Sequence, residues 1–165
     1  RRRIIINGMT YEADLTSGGA ADLPDALSGK VRSLDYKTLR HPGHYSWVEQ
    51  QLKGLKNTKD SISGLQDIML AEIPHVEDDQ IIVYAAVAGK DTKGVLRREE
   101  IAKHIKPLQI GKHMLRAIQT TTAAPLVQAI HWLLETKPKG VILQSQLDAK
   151  TFLNGAFITR VYGNM

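Results

Sequence analysis

The densest chemistry in the chain lies in Tyr36-Lys-Thr-Leu-Arg-His-Pro-Gly-His44, where Arg40 and His44 stand on either side of a Pro42-Gly43 bend. A guanidinium is planar and permanently charged, so it can grip a carboxylate with two parallel hydrogen bonds, while an imidazole can exchange a proton near neutral pH. The same residues also admit a plain structural reading, in which Arg40 pairs with a nearby acid and His44 caps the helix that follows. Upstream, Thr16-Ser-Gly-Gly19 is small and can expose backbone amides, either toward a ligand or simply as a turn. Thr120-Thr-Thr122 offers hydroxyls for capping a helix start, and Arg97, Arg98, Glu99 and Glu100 suit a solvated face.

Several other chemistries are excluded by what the sequence lacks. There is no cysteine, hence no disulfide, thiolate metal site or cysteine nucleophile, which fits a cytoplasmic location. Of six histidines only His41 and His44 are close together, and no carboxylate stands beside them at zinc-ligand spacing, so no metal site is expected. No G-x-G-x-x-G, P-loop or nucleophile elbow occurs. The chain is therefore expected to contain no cofactor-binding residues of its own. The net charge of +5 hints at nucleic acid, but Arg1, Arg2 and Arg3 supply three of those charges and leave +2; with only 5% aromatic residues to stack on bases, no nucleic-acid partner is expected. The triple arginine is read as a chain boundary, because no apolar region follows that would make it a secretory signal. No run approaches the length of a membrane span, so no membrane partner is expected either.

The elements that must position Arg40 and His44 can be read from spacing. At 165 residues, with 42% hydrophobic and 24% charged residues, the chain has the size and balance of a single domain spanning 1–165. Asn7-Gly8 between Arg3–Ile6 and Met9–Ala13 predicts a β-hairpin. Asp22-Leu-Pro-Asp25 opens a short helix that Gly29 ends, and Val31–Leu39 reads as a strand. After the Pro-Gly bend, Tyr45, Val48, Leu52 and Leu55 recur at helical spacing. A second helix from Ser61 carries Ile62, Leu65, Met69 and Ile73, with Gly64 weakening it and Pro74 ending it. Gln80–Ala88, apolar on both faces, suits a strand covered on both sides, and Gly89–Gly94 suits a hairpin loop that returns it as an antiparallel strand from Val95, although the spacing of Leu96, Ile101, Ile105 and Leu108 also permits a helix there. A long helix is expected at the three threonines, with Pro125 in its first turn. A strand at Gly140–Leu143, a short helix opened by Asp148 and a terminal strand Phe157–Val161 complete the reading. The fold class is α+β.

These stretches, in this order, resemble a known family. Lys37-Thr-Leu-Arg-His-Pro-Gly-His44 is similar to the Lys-Thr-Leu-Arg-Tyr-Pro-Gly-His signature in the C-terminal domain of saccharopine dehydrogenase-like enzymes, with His41 where Tyr is usual. Thr16-Ser-Gly-Gly19, Ala117–Pro125 and Gly140–Asp148 followed by Phe152-Leu153 agree as well, so the likeness spans nearly the whole chain. The resemblance implies a mixed, largely antiparallel sheet with helices packed on one face. It implies a substrate-binding and dimerisation domain, inactive alone, that works beside a Rossmann domain outside these residues holding NAD or NADP. The chemistry it implies is hydride transfer between nicotinamide and a carbon bonded to nitrogen, on an amino-acid-derived small molecule, in a homodimer. Arg40 and His44 fall on the motif's Arg and His, and Ser17 and Gly18 fall in the loop facing the cleft; no catalytic proton carrier is assigned. The competing expectations are a noncatalytic ligand-binding or protein-interaction module of the same fold, and a basic nucleic-acid-binding domain.

Overall fold

Asn7 and Gly8 adopt the positive φ values (51° and 79°) that a tight hairpin turn demands, and they join β1 (Arg2–Ile6) to β2 (Met9–Asp14) as the pair predicts. The computed structural model describes residues 1–15, 19–55 and 60–164, which form two compact units, Arg1–Val76 and Glu77–Met165. In the first unit, β2 alternates buried Tyr11 and Ala13 with Glu12 on the opposite face, and Ile6 joins them in a small apolar core. α1 (Leu23–Ala26) is the expected short helix, with Pro24 in its first turn. β3 (Thr38–Arg40) then pairs antiparallel with β2, giving a sheet of order β1-β2-β3.

The strand expected over Val31–Leu39 is thus confined to its last residues plus Arg40. The register explains this. Thr38 lies opposite Asp14, the final residue of β2, so residues before Thr38 have no strand left to pair with. The helices α2 (His44–Gly54) and α3 (Ser61–Glu72) form where the 3.6-residue spacing places them. The Tyr45 hydroxyl donates to the Thr38 carbonyl at 2.7 Å and so ties the start of α2 to β3.

In the second unit, β4 (Ile81–Lys90) and β5 (Leu96–Ile105) make a ten-residue antiparallel ribbon with Ile81 opposite Ile105 and Lys90 opposite Leu96. Asp91 closes its turn by accepting the N–H groups of Lys93 (2.9 Å) and Val95 (3.0 Å). β4 is not covered on both faces as its apolar run suggests. Ile81–Tyr84 are half-buried, whereas Ala85–Lys90 are exposed. A hairpin that the sequence did not announce, β6 (Leu108–Ile110) with β7 (His113–Leu115), leads into α4 (Ala117–Thr136).

α4 begins three residues before the threonines, because Asp79 supplies the cap. Its carboxylate accepts the N–H groups of Ala117 (2.5 Å) and Ile118 (2.9 Å), two of the donors that a helix start leaves unpaired. The threonine hydroxyls turn back instead: Thr121 donates to the Ala117 carbonyl and Thr122 to the Ile118 carbonyl, both at 2.7 Å. Pro125 consequently sits inside the helix, where it cannot donate to the carbonyl of Thr121. The Tyr162 hydroxyl donates to that carbonyl at 2.7 Å and replaces the missing bond.

Gly140–Leu143 forms no strand and leads into a single 3₁₀ turn at Gln144–Gln146. α5 (Ala149–Leu153) is capped by Asp148, which accepts the N–H of Thr151 at 2.7 Å. The expected terminal strand is a helix, α6 (Ala156–Tyr162). Phe157-Ile-Thr-Arg-Val161 is β-prone in composition, but tertiary contacts override that preference: Gln128 of α4 accepts the N–H of Phe157 (3.2 Å), and Ile158 is buried. The described residues therefore form an α+β fold with six α-helices and three separate antiparallel sheets of three, two and two strands, rather than one sheet.

Candidate functional site

The candidate site is assembled by β2, β3 and the start of α2. Arg40 ends β3 directly opposite Glu12, and Glu12 is in turn opposite Arg3 of β1, so a row Arg3–Glu12–Arg40 crosses one face of the sheet. The other face is apolar, with Tyr11 and Ala13 buried. Past Arg40 the chain bends through Pro42 and Gly43. Gly43 takes φ 96°, a left-handed conformation that suits glycine, and the bend brings His44 back as the first residue of α2. The backbone N–H of His44 donates to the His41 carbonyl at 3.2 Å and that of Trp47 to the Gly43 carbonyl at 2.9 Å.

The electrostatics follow from this geometry. His44 is half-buried, edge-on to Tyr45 with ring centroids 5.6 Å apart. Burial first, and then the charge of Arg40, hold its pKa below the ordinary imidazole value, while Glu12 partly offsets them. A neutral imidazole that can accept a proton is the favoured form. Arg40 makes no ion pair among the described residues; its Nη1 donates to the Leu39 carbonyl at 3.0 Å and the side chain is exposed. Glu12 has a buried Oε2 with no hydrogen-bond partner. Leaving such an acceptor unpaired costs about 1–3 kcal/mol, so its presence asks for an explanation. His41 makes an aromatic contact: its ring lies 5.5 Å from that of buried Tyr11.

The structure brings Arg40 and His44 together, whereas Ser17 and Gly18 lie outside the described residues. Among the described residues neither plain structural role occurs in its simple form: Arg40 pairs with no acid, and no side chain caps α2, whose N-cap is Gly43. Sequence reasoning missed Glu12. The alternation of Tyr11 and Ala13 puts it on the polar face, but only the pairing of β2 with β3 shows which residue it meets.

Arg1 belongs to the surroundings of the site. It pairs with Asp14 (3.4 Å) and with Glu49, and its guanidinium lies 5.1 Å from the centre of the Tyr45 ring. The charges of β5 make local contacts: Arg98 donates to Glu100 (3.0 Å) and to the Tyr84 hydroxyl (2.7 Å), and Arg97 pairs with Asp91 (3.1 Å). Among the described residues no three His, Asp or Glu side chains cluster as metal ligands, and no helix is long and apolar enough to cross a membrane. No protein-family model, curated protein or solved structure matches the chain.

Proposed function

We propose that this chain is the substrate-binding and dimerisation domain of an NAD(P)-dependent oxidoreductase of the saccharopine dehydrogenase-like type, acting on a C–N bond of an amino-acid-derived molecule. The observation that carries the reading is the bend after β3, which places a guanidinium with no ion-pair partner among the described residues beside an imidazole whose pKa burial lowers. Arg40 binds and orients a substrate carboxylate. His44 accepts or returns the proton of the nitrogen at the reacting centre.

When bound, the nicotinamide takes up or delivers the hydride. Among the described residues every strand pair is antiparallel, and β3 enters α2, and β7 enters α4, without a glycine-rich phosphate loop. In this proposal the cofactor is held by a Rossmann domain outside these residues, in keeping with the lack of G-x-G-x-x-G in the sequence. Self-association draws on the exposed apolar side chains of α4, with Leu126 at 62% and Leu134 at 70%, and on the open edges of the β4–β5 ribbon. The lack of a nucleotide fingerprint favours one competing reading, a noncatalytic ligand-binding or protein-interaction module.

The coding sequence immediately upstream of Arg1 separates the two. A β-strand leading into G-x-G-x-x-G is expected there, and an enzyme joining both parts should exchange hydride between NAD(P) and an amino-acid-derived amine. An upstream sequence without that fingerprint, or a joined protein that binds the cofactor but turns over no such amine, would overturn the enzyme reading.

A further inference from the structure

Among the described residues β5 pairs only with β4, so its other edge carries no strand, and residues 96–102 are exposed throughout. The ladder fixes what that edge presents. Its bonds alternate along an antiparallel pair, and the Asp91 N–H donates to the Val95 carbonyl at 2.9 Å, so Leu96, Arg98, Glu100 and Ala102 turn their N–H and C=O groups outward. An open row of this kind is a template for another strand. Charged side chains on an edge ordinarily deter a second strand, but they do so through like charge. Here the sign changes halfway, from Arg97 and Arg98 to Glu99 and Glu100.

That order is complementary to itself. When a two-fold axis relates two identical antiparallel strands, one residue faces its own copy at the axis and every opposed pair shares a face. With Arg98 on the axis, the face shared with Val87 reads Val95, Arg97, Glu99, Ile101 in one copy against Ile101, Glu99, Arg97, Val95 in the other. Val95 then meets Ile101 and Arg97 meets Glu99, each twice. Glu99 has no ion pair in its own chain among the described residues, and Arg97 meets Asp91 through Nε at 3.1 Å. On the opposite face each Arg98 is already matched by its own Glu100 (3.0 Å) and bonded to the Tyr84 hydroxyl (2.7 Å), which eases the approach of two arginines at the axis. Moving the axis to Glu99 would instead set that carboxylate against its copy and Arg97 against Ile101. We propose that β5 pairs with β5 of a second copy in the register centred on Arg98, joining two ribbons into one four-stranded antiparallel sheet. This pairing rests on the self-association in the proposed function and gives it a surface and a register. Val95 and Ile101, both exposed in a single copy, cover each other across the seam.

Sedimentation equilibrium of the full chain, with single substitutions that reverse one charge, is the test. The wild type should form a dimer in the micromolar range and lose it as salt is raised, because exposed charges are screened. Arg97→Glu and Glu99→Arg should each weaken the dimer about tenfold or more, since either change turns two attractions into two repulsions. Mixed in equal amounts, the two variants should recover a heterodimer, each supplying the charge the other lacks, and the double variant Arg97→Glu/Glu99→Arg should dimerise alone. At dilutions where every chain is monomeric the melts should be similar, because these side chains are exposed. If neither the mixture nor the double variant recovers, the register centred on Arg98 is wrong. A dimer that both single reversals leave intact would put self-association on another surface and sink the pairing through β5. A wild type that stays monomeric at high micromolar concentration would overturn the pairing and the self-association together, whereas the substrate site at Arg40 is judged separately by Arg40→Lys.

Discussion

Replacing Tyr162 by Phe removes one hydroxyl and leaves the ring, so it isolates the bond that substitutes for the amide Pro125 lacks. That bond runs 2.7 Å from the Tyr162 hydroxyl to the carbonyl of Thr121, a buried residue at 9% exposure. If water cannot reach the carbonyl, the loss is the desolvation cost of a buried acceptor, about 1–3 kcal/mol; if water reaches it, the net loss is nearer 1 kcal/mol. For a chain of this length each kcal/mol corresponds to about 2–4 °C in Tm. The decisive measurement is a double-mutant cycle with Pro125→Ala, followed by urea and thermal unfolding. Alanine restores an N–H that can reach the Thr121 carbonyl along the helix, so Tyr162→Phe should cost much less in that background, with a coupling of about 0.5–3 kcal/mol. Burial also raises the pKa of Tyr162 above its usual value near 10. Between that value and the higher folded one, the native state holds a proton that the unfolded state has lost, so stability falls as pH rises above about 10. The variant should lack this contribution. Strictly additive effects of the two substitutions would refute the idea that the hydroxyl stands in for the missing amide.

Three further outcomes are expected. In an enzyme that joins this chain to the nucleotide-binding part proposed above, Arg40→Lys should weaken substrate binding about tenfold to a hundredfold while cofactor binding and folding hold, because lysine keeps the charge but loses the two-point fork. His44→Asn in the same enzyme should change the pH profile of turnover; lowered melting temperatures with unchanged kinetics for both variants would show that they only brace the bend. For the chain itself, the lowered pKa of His44 means the unfolded state takes up a proton first as pH falls below about 6.5, so acid should destabilise the wild type more than His44→Asn, and equal acid sensitivity in urea unfolding would contradict this. Gly155→Ala should lower the Tm by several degrees, since the added methyl collides with the side chain of buried Gln128, which holds the first turn of α6; an unchanged melt would show that α4 and α6 adjust freely.

What was legible in the sequence was local. Asn7-Gly8 specifies its own turn, and the helical spacing around Val48 and Leu52 specifies α2, because neither depends on distant residues. The errors occurred where a distant partner decides. Val31–Leu39 is largely not a strand because β2 ends at Asp14, and Phe157–Val161 is helical because Gln128 is there to receive its first turn. The start of α4 was misplaced because its cap is Asp79, far back in the chain, rather than the adjacent threonines. The site divides in the same way. Arg40 and His44 were visible as residue types on a rigid bend, but Glu12 becomes part of the site only through a strand register that one-dimensional spacing does not contain.

The site also stands on a slender support. β3 offers only three ladder pairs, and the buried apolar residues of its unit, among those described, are Ile6, Tyr11 and Ala13. The exposed pairs that Arg1 makes with Asp14 and Glu49 add little, since surface ion pairs contribute about 0–1 kcal/mol and weaken with salt. What fixes the distance from strand to helix is the Tyr45 hydroxyl on the Thr38 carbonyl, a neutral bond, half-buried and insensitive to ionic strength. In the proposed function a charged ligand is held by Arg40 at the moment its own counterions are lost. It is consistent with that demand that the bracing contact is uncharged, leaving the charges on the sheet face uncommitted to the fold.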